Sequence, residues 1–279
     1  FSSESMNMEM TVTTALFDLN RAGWTNYNRS IDDYKRYSQG MLSLDCKLVV
    51  YTSPELKSYF EEKRSEIDPG LANTKIVTMN LDQIPYYDML EEIQNVMSSD
   101  WFINNIRNRN DVFRPEANYA IYNIIQFAKS KFLVRSIEEN PFSTDLHCWL
   151  DVGAYHDKFP PQFLHKKYPA RNTEELLNGK IHHFYKEFPR DSDANKADYY
   201  GMDDDVRMVG GWFGGTHNAM RLYSDLIEKV VKDSLAEGVI SDDQNIYTIC
   251  YLENKDKFHL HDGRGAHNPY FAGVDYFIE

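Results

Sequence analysis

The residues best suited to chemistry stand at the end of one apolar segment. Residues 147–150 (HCWL) lead directly to the carboxylate of Asp151, and residues 152–153 (VG) follow as a sharp turn. This order predicts a buried strand with Asp151 at its carboxyl end, the edge where open α/β sheets bind ligands. A carboxylate there suits a divalent cation, Mn²⁺ or Mg²⁺, which holds a diphosphate and stabilises it as it leaves. The alternative is a turn aspartate that only caps a loop.

A second pair of acids is formed by Asp242 and Asp243, directly after Ser241. Serine is a favoured helix N-cap and acids suit the first turn, so these residues predict the start of a helix. One of the two acids can also face an acceptor hydroxyl and take its proton as a general base. We favour Asp243 as this base, with Asp242 second.

A glycine-rich run at residues 210–215 (GGWFGG) allows a ligand to approach the backbone closely. The indole of Trp212 offers a flat surface for a sugar ring. We therefore predict acceptor contacts at Trp212, Gly214 and Gly215. The alternative is a tight turn between a strand and a helix.

Contacts with a donor nucleotide are expected where the first predicted strand ends. Thr14, Phe17 and Asp18 are predicted to face a base and its ribose, and Arg21 to reach a phosphate. The alternative for the charged residues is an exposed position where they only contact solvent.

The elements that must position these residues alternate regularly at the start of the chain. Strands are predicted at residues 10–17, 46–52 and 75–79, with helices at 27–39 and 53–63 between them. This order predicts a parallel sheet with right-handed crossovers. Three further helices are predicted, over residues 116–138, 218–237 and 242–253.

We expect one domain over residues 8–279, with a donor half at 8–153 and an acceptor half at 154–279. Residues 1–7 are interpreted as a cloning remnant or a disordered start. No apolar run approaches the ~18 residues of a membrane-spanning helix. We expect a cytoplasmic protein, and a removed N-terminal anchor is left open.

The composition limits the classes of partner that the protein is expected to bind. A net charge of -13 disfavours nucleic acid and anionic membranes, which bind basic surfaces. A nucleotide is still compatible, because a local cation can neutralise its phosphates. The three cysteines include no CxxC pattern and are expected to be buried thiols in a reducing compartment. The aromatic content of 14% leaves a homodimer open.

Several short motifs resemble, in the same order, those of the HtrL/YibB family of predicted glycosyltransferases. The similarity extends from about residue 11 to 260. The motifs are residues 13–18 (TTALFD), 28–30 (NRS), 140–142 (NPF), 149–153 (WLDVG), 212–215 (WFGG) and 242–245 (DDQN).

The resemblance implies a Rossmann-like fold of the GT-A type, with a mainly parallel central sheet flanked by helices. It also implies a UDP-sugar donor and a glycan hydroxyl acceptor. The sugar is expected to be of the xylose, galactose or glucose class. The resemblance extends to viral members of the family that decorate glycans. If this chain is viral, the compartment is the host cytoplasm.

The chain departs from the Asp-x-Asp pattern of many GT-A enzymes, because Gly153 stands where the second carboxylate is expected. The C-terminal segment is similar to a His-x-x-Gly-x-x-Lys segment in some of these families. By position, His261 or His259 is expected to bind the metal, and Arg264 or His267 to hold phosphate.

On the helix before the motif, Lys131 is similar to a family lysine and is expected to hold the donor. Two other functions remain open, a sugar nucleotidyltransferase and a non-catalytic glycan-binding protein. A sugar nucleotidyltransferase is disfavoured because the loop after the first strand holds one glycine. A dehydrogenase is also disfavoured, since no GxGxxG follows that strand.

Overall fold

A computed structural model describes residues 9–20, 23, 29–108, 114–202 and 205–279 of the chain. The predicted start at residues 1–7 lies outside the described residues. Seven strands are present in this part of the chain: β1 (Met10–Leu16), β2 (Lys47–Thr52), β3 (Thr74–Thr78), β4 (Leu146–Leu150), β5 (Ile181–Tyr185), β6 (Met208–Thr216) and β7 (Phe258–Asp262).

All seven strands belong to one sheet, in the order β3-β2-β1-β4-β6-β5-β7. The pairs β3-β2, β2-β1, β1-β4 and β5-β7 are parallel, whereas β6 is antiparallel to both β4 and β5. β6 is therefore the one reversed strand. The central strands are rich in Val, Thr and Leu and are buried along almost their whole length, as expected of a sheet covered on both faces.

Helices cover both faces of this sheet. In the described part of the chain they are α1 (Ile31–Leu42), α2 (Lys57–Ser65), α3 (Leu90–Met97), α4 (Asp100–Phe102), α5 (Pro115–Asn118), α6 (Ala120–Phe127), α7 (Lys129–Glu139), α8 (Lys196–Tyr200), α9 (His217–Ala236), α10 (Asp243–Glu253) and α11 (Ala272–Ile278).

The helix predicted over residues 116–138 is in fact three helices. Tyr119, between α5 and α6, has an extended backbone at φ −129° and ψ 107°. At Ala128, φ is −70° and ψ is −15°, and α7 begins at the next residue. The second break makes Lys129 the first residue of α7. An apolar stripe read at helical spacing does not reveal such breaks, because the burial pattern continues across them.

Two apolar clusters lie on the two faces of the sheet. One contains Trp149 and Phe213 together with residues of α6, α7, α9 and α10, and we call its side the α7 face. The other contains Leu150 and Trp212 with residues of α1 and α11, and we call its side the α1 face. Because side chains alternate along a strand, Asp151 projects on the same side as Trp149.

The carboxyl edge of the parallel strands is the place where the chemistry-bearing segments meet. β4 ends there just before Asp151, and the reversed strand β6 begins there. The Asp151 N–H donates to the carbonyl oxygen of Gly211 at 3.0 Å. The predicted α/β class, with a mainly parallel sheet flanked by helices, is confirmed. In the part of the chain that the structure describes, no helix is both long enough and apolar enough to span a membrane.

Candidate active site

Asp151 is held in a defined orientation at the end of β4. The indole N–H of Trp149 donates to its Oδ1 at 2.7 Å. The side chain keeps 33% of its surface exposed, so the carboxylate opens towards solvent. An acid that is fixed by its neighbours and still accessible can bind a ligand without further ordering.

Lys129 connects this acid to a second one. Its Nζ lies 3.0 Å from Asp151 Oδ1 and 3.0 Å from Asp243 Oδ2, and it donates to the carbonyl oxygen of Gly210 at 2.9 Å. An ammonium has three donors, and here each has an oxygen acceptor. Burial opposes the charge of Lys129, but Asp151 and Asp243 outweigh it and raise its pKa above the ordinary value. The side chain is therefore a buried cation at neutral pH.

Asp243 and Asp242 stand at the start of α10, where a helix was predicted. The N-cap is Asp242 and not Ser241, since the Asp242 Oδ1 accepts the Asn245 N–H at 2.9 Å. Burial raises the pKa of Asp243, while Lys129 lowers it. Burial, with the charges of Glu116 and Asp243, raises the pKa of Asp242 to about 7. Both acids therefore have the perturbed pKa values that are typical of functional carboxylates.

Gly210 allows the backbone of β6 to lie close to Asp243 and Lys129. A Cβ at residue 210 would lie 2.6 Å from Asp243 Oδ2 and 3.4 Å from Lys129 Nζ. Its carbonyl oxygen also accepts from Lys129. Any side chain at this position would push Asp243 away from Lys129, so glycine is required by the geometry of the site.

A cavity of about 180 Å³ opens beside Asp151 and Lys129. Its lining combines aromatic and polar side chains. The aromatic side chains are Phe17, Tyr34, Tyr122, Trp149 and Phe271, and the polar ones include Arg29, Gln126 and His156. The Arg29 guanidinium lies 5.6 Å from the centroid of the Tyr37 ring, which supports its position at the cavity. Flat apolar surfaces with a few polar groups are typical of small-molecule sites.

The predicted donor residues on and after β1 have different positions in the structure. Phe17 lines the cavity and stacks on Phe132. Thr14 is completely buried within the sheet, so it cannot face a nucleotide. Asp18 is exposed and accepts the backbone N–H of Asn20 at 2.8 Å. Arg21 lies outside the described residues.

Lys131 lies away from Asp151, although it is only two positions from Lys129. Its Nζ pairs with Glu228 of α9 at 3.0 Å and lies 5.9 Å from the centroid of the Tyr86 ring. Residues two apart on a helix point in nearly opposite directions, at about 100° per residue. The structure therefore places Lys131 away from Asp151, and its expected contact with the donor stays a prediction.

The acceptor residues predicted in β6 are packing residues. Trp212 is completely buried on the α1 face, stacks on Phe277 and donates its indole N–H to the hydroxyl of Tyr168. It therefore has no surface to offer a sugar, which corrects the prediction. Gly214 and Gly215 pair with Cys148 and His147 towards the opposite edge of the sheet, because β6 is reversed. The glycines of β6 that lie at the site are Gly210 and Gly211.

His259 and His261 do not share a site with Asp151. They lie on β7, which is three strand spacings from β4, roughly 14 Å at about 4.8 Å each. They also pack on the α1 face, since the His261 ring lies beside Phe184 and Tyr276. The predicted metal site made by Asp151 with either histidine is therefore not assembled.

Arg264 and His267 follow β7 and have partners of their own. Arg264 forms two bonds to Asp262, at 3.0 and 2.8 Å, on an exposed surface. His267 is hydrogen-bonded through Nδ1 to Asp275 at 2.5 Å, and this contact raises its pKa. Neither residue lines the cavity at Asp151.

Two groups of described residues have ligand atoms close enough to hold a metal ion. One is His182, His259 and His261, and the other is His267, Asp275 and Glu279, each with atoms within 4.8 Å of one another. In the first group, burial lowers the pKa of His182 to about 3 and of His261 to about 4, so both rings are neutral. Neither group contains Asp151.

A divalent cation fits poorly at Asp151 itself. The Oδ1 atom already accepts from Lys129 and Trp149, and Asp243 is bound to the same ammonium. A divalent ion bound by Asp151 would stand within a few ångströms of this buried cation, and like charges at that distance repel strongly.

The residues that sequence reasoning missed are Lys129, Arg29 and Gly210. The signal for Lys129 was present, because it continues the apolar stripe of Ile121 and Ile125 at a spacing of four residues. A charged residue on a buried stripe requires a partner of opposite charge. Its partners, Asp151 after β4 and Asp243 of α10, are distant in sequence. The ion pairs of Lys129 could therefore not be predicted from the local pattern.

The chain matches the family described as "Bacterial protein of unknown function (HtrL_YibB)" over residues 8–273. It is 26% identical over 274 residues to Protein HtrL of Escherichia coli (strain K12), covering 93% of this chain and 90% of that protein.

Among solved structures, mouse xyloside xylosyltransferase 1 in its apo form is similar over 91% of this chain and 85% of that chain, with a TM-score of 0.44 and 14% sequence identity. A likeness of this degree carries no argument about activity, so function has to be argued from the site.

Proposed function

The chain belongs to the HtrL_YibB family, and from its site we propose that it is a glycosyltransferase acting on a UDP-sugar and a glycan hydroxyl. One observation carries the proposal. Asp151, at the carboxyl end of a central strand, is joined through the Lys129 ammonium to Asp243, beside a cavity with aromatic walls. This combination offers groups for a base, a diphosphate and an acceptor hydroxyl in one place.

The cavity supports a nucleotide donor. Phe17 and Tyr34 provide flat surfaces against which a nucleobase or a sugar can stack. Arg29 contributes a guanidinium, which binds phosphate oxygens in a bidentate manner. We therefore assign to Arg29 the phosphate contact that the sequence predicted for Arg21, Arg264 or His267. The donor sugar is proposed to be xylose, galactose or glucose.

The carboxylates provide the acid–base chemistry. In a transfer with inversion, the acceptor oxygen bonds to the anomeric carbon as the bond to the diphosphate breaks. The acceptor proton then passes to a carboxylate, for which Asp243 is the first candidate and Asp242 the second. Asp242, with a pKa raised to about 7, is suited to this task near neutral pH. In a transfer with retention, the same acids would stabilise the oxocarbenium-like transition state.

The decisive experiment is a thermal-shift panel of UDP-, GDP- and CMP-sugars, each with Mn²⁺ and with a chelator, followed by a transfer assay. A ligand that binds only the folded protein raises its Tm. We expect one UDP-sugar to raise the Tm of the wild-type protein, and Arg29→Ala to reduce this shift. Arg264→Ala is the matched control and should keep the full shift, because Arg264 pairs with Asp262 outside the cavity.

The other two functions give different results in this panel. A glycan-binding protein would respond to glycans and to no nucleotide. A sugar nucleotidyltransferase would release pyrophosphate from a nucleoside triphosphate and a sugar 1-phosphate. If none of the nucleotide-sugars raises the Tm, with or without metal, the proposed transfer is contradicted.

A further inference from the structure

The position between Asp151 and Asp243 has the composition of a cation site. Two carboxylate oxygens and the carbonyl oxygen of Gly210 converge on one point, and the Lys129 Nζ stands there at 2.9 to 3.0 Å from each. Hard divalent cations such as Mg²⁺ use the same oxygen ligands, at about 2.0–2.1 Å. The ammonium thus occupies a position that the surrounding oxygens would otherwise offer to a metal.

We propose that the Lys129 ammonium takes the place of the divalent cation in this site, so that donor binding and sugar transfer do not require a metal. This inference rests on the proposed glycosyltransferase function. It accounts for Gly153, which stands where many GT-A enzymes have a second carboxylate. A site whose cation is built into the chain does not need that second ligand.

Lys129 is well fixed in this position. It is the first residue of α7, its side chain is 5% exposed, and all three of its donors have acceptors. Moving it aside to admit a metal would leave a buried cation without its partners, which is strongly unfavourable. The predicted metal ligands His259 and His261 lie on the other face of the sheet, so they do not compensate for this loss.

The charge of the donor is then met by two cations of the chain. Lys129 offsets the charges of Asp151 and Asp243, which would otherwise repel a diphosphate. Arg29 lines the wall of the same cavity, where its guanidinium would meet the phosphates of a bound donor. A divalent ion would duplicate the charge that Lys129 already supplies.

The first test uses the wild-type protein alone. Titration calorimetry with Mn²⁺ and with Mg²⁺ measures whether the free protein binds either ion at this site. The affinity for the UDP-sugar found in the panel is then measured with Mn²⁺ and with EDTA. We expect the donor Kd to agree within about twofold in the two conditions, since a metal that is not required contributes no binding free energy.

The second test creates the metal site. Lys129→Met removes the ammonium, keeps an unbranched side chain and leaves the two carboxylates without a cation. We expect this variant to bind Mn²⁺ more tightly than the wild type, and its donor affinity to fall at least about tenfold in EDTA and recover with Mn²⁺. Lys131→Met is the matched control on the same helix. It loses the pair with Glu228 and the contact with the Tyr86 ring, both away from Asp151, and should remain insensitive to EDTA.

The outcomes separate the two proposals. Wild-type donor binding that is lost in EDTA and restored by Mn²⁺ overturns the metal-independent site and leaves the glycosyltransferase proposal intact. Failure to bind any nucleotide-sugar overturns the function, and the Mn²⁺ titrations of the wild type and Lys129→Met still decide whether Lys129 occupies a cation position. If Lys129→Met does not fold, the wild-type comparison in EDTA decides by itself.

Discussion

At the scale of single residues, one lysine determines how the acids of the site behave. Lys129 is bonded to Asp151 and to Asp243, and its charge lowers the cost of keeping both acids ionised in a partly buried place. At Asp242, the residue before Asp243, burial and the charges of Glu116 and Asp243 outweigh the opposing charge of Arg114 and raise the pKa to about 7. The two neighbouring acids therefore have different environments, which allows them different roles.

Replacing Asp243 by Asn tests its role as the base. The amide is nearly isosteric but cannot take a proton, so turnover should fall by about 10²-fold or more. The donor KM should change by less than about threefold, because the contact is made with the acceptor and not with the donor. Steady-state kinetics with the donor identified above provides the measurement. A larger loss of turnover in Asp242→Asn than in Asp243→Asn would assign the base to Asp242.

Replacing Asp242 by Asn tests its raised pKa through stability. A carboxyl whose folded-state pKa is above the ordinary 3.8 contributes stability that is present at low pH and lost as the pH rises through about 7. The Asn variant avoids this loss and still caps α10. Relative to the wild type, it should gain about 1–3 kcal/mol more at pH 8 than at pH 5. Urea unfolding at both pH values measures this, and an equal gain at both would contradict it.

At the scale of elements, the site exists because three of them approach closely. α7 supplies Lys129, β4 ends at Asp151, and α10 begins with Asp243. The reversed strand β6 passes between them, and Gly210 permits this approach. The contact among these elements joins segments that are more than 100 residues apart, such as Lys129 and Asp243.

Substituting Gly210 by Ala tests this approach. The new Cβ would lie 2.6 Å from Asp243 Oδ2, so Asp243 or β6 must shift. We expect a loss of about 1–3 kcal/mol in stability from overpacking. We also expect a fall of about 10²-fold in transfer, since small displacements of reacting groups are costly. Gly265→Ala is the matched control, because its Cβ would meet no atom within 4 Å. Normal transfer by Gly210→Ala would contradict the required approach.

At the scale of the whole molecule, both predicted halves contribute to one sheet. β4 of the first half pairs with β6 of the second along five residue pairs. Trp212 forms the last of these pairs, with Leu150, and is completely buried against Phe277 and Phe184. The halves should therefore unfold together, although the boundary between donor and acceptor functions stays a prediction.

Trp212→Ala tests whether the two halves unfold together. It also tests whether Trp212 is a packing residue and not an acceptor contact. Removing a buried indole should cost about 3–5 kcal/mol of stability and lower the Tm of a single cooperative transition. Phe188→Ala is the control, since Phe188 is 52% exposed and its removal should cost far less. Differential scanning calorimetry measures both variants. Two separate unfolding transitions would contradict unfolding of the halves together. A raised acceptor KM without loss of stability would contradict the packing role of Trp212.

The sequence by itself determined the features that depend on local pattern. The β-α-β order, the strand leading to Asp151 and the helix opening at Asp242 and Asp243 follow from residue type and spacing, and each is present in the structure. Phe17 lines the cavity beside Asp151, because the end of β1 lies at the same edge as the end of β4, and its contact with a base stays a prediction.

Only the tertiary structure decided which of these residues meet. The reversal of β6 carries Gly214 and Gly215 to the far edge, and the alternation of strand side chains puts Trp212 and His261 on the face opposite to Asp151. On α7, Lys129 faces the acids and Lys131 faces α9, because residues two apart on a helix point in nearly opposite directions. These outcomes depend on strand direction, sheet face and helix orientation, which are fixed by packing between segments that are distant in sequence and not by the residues at each position.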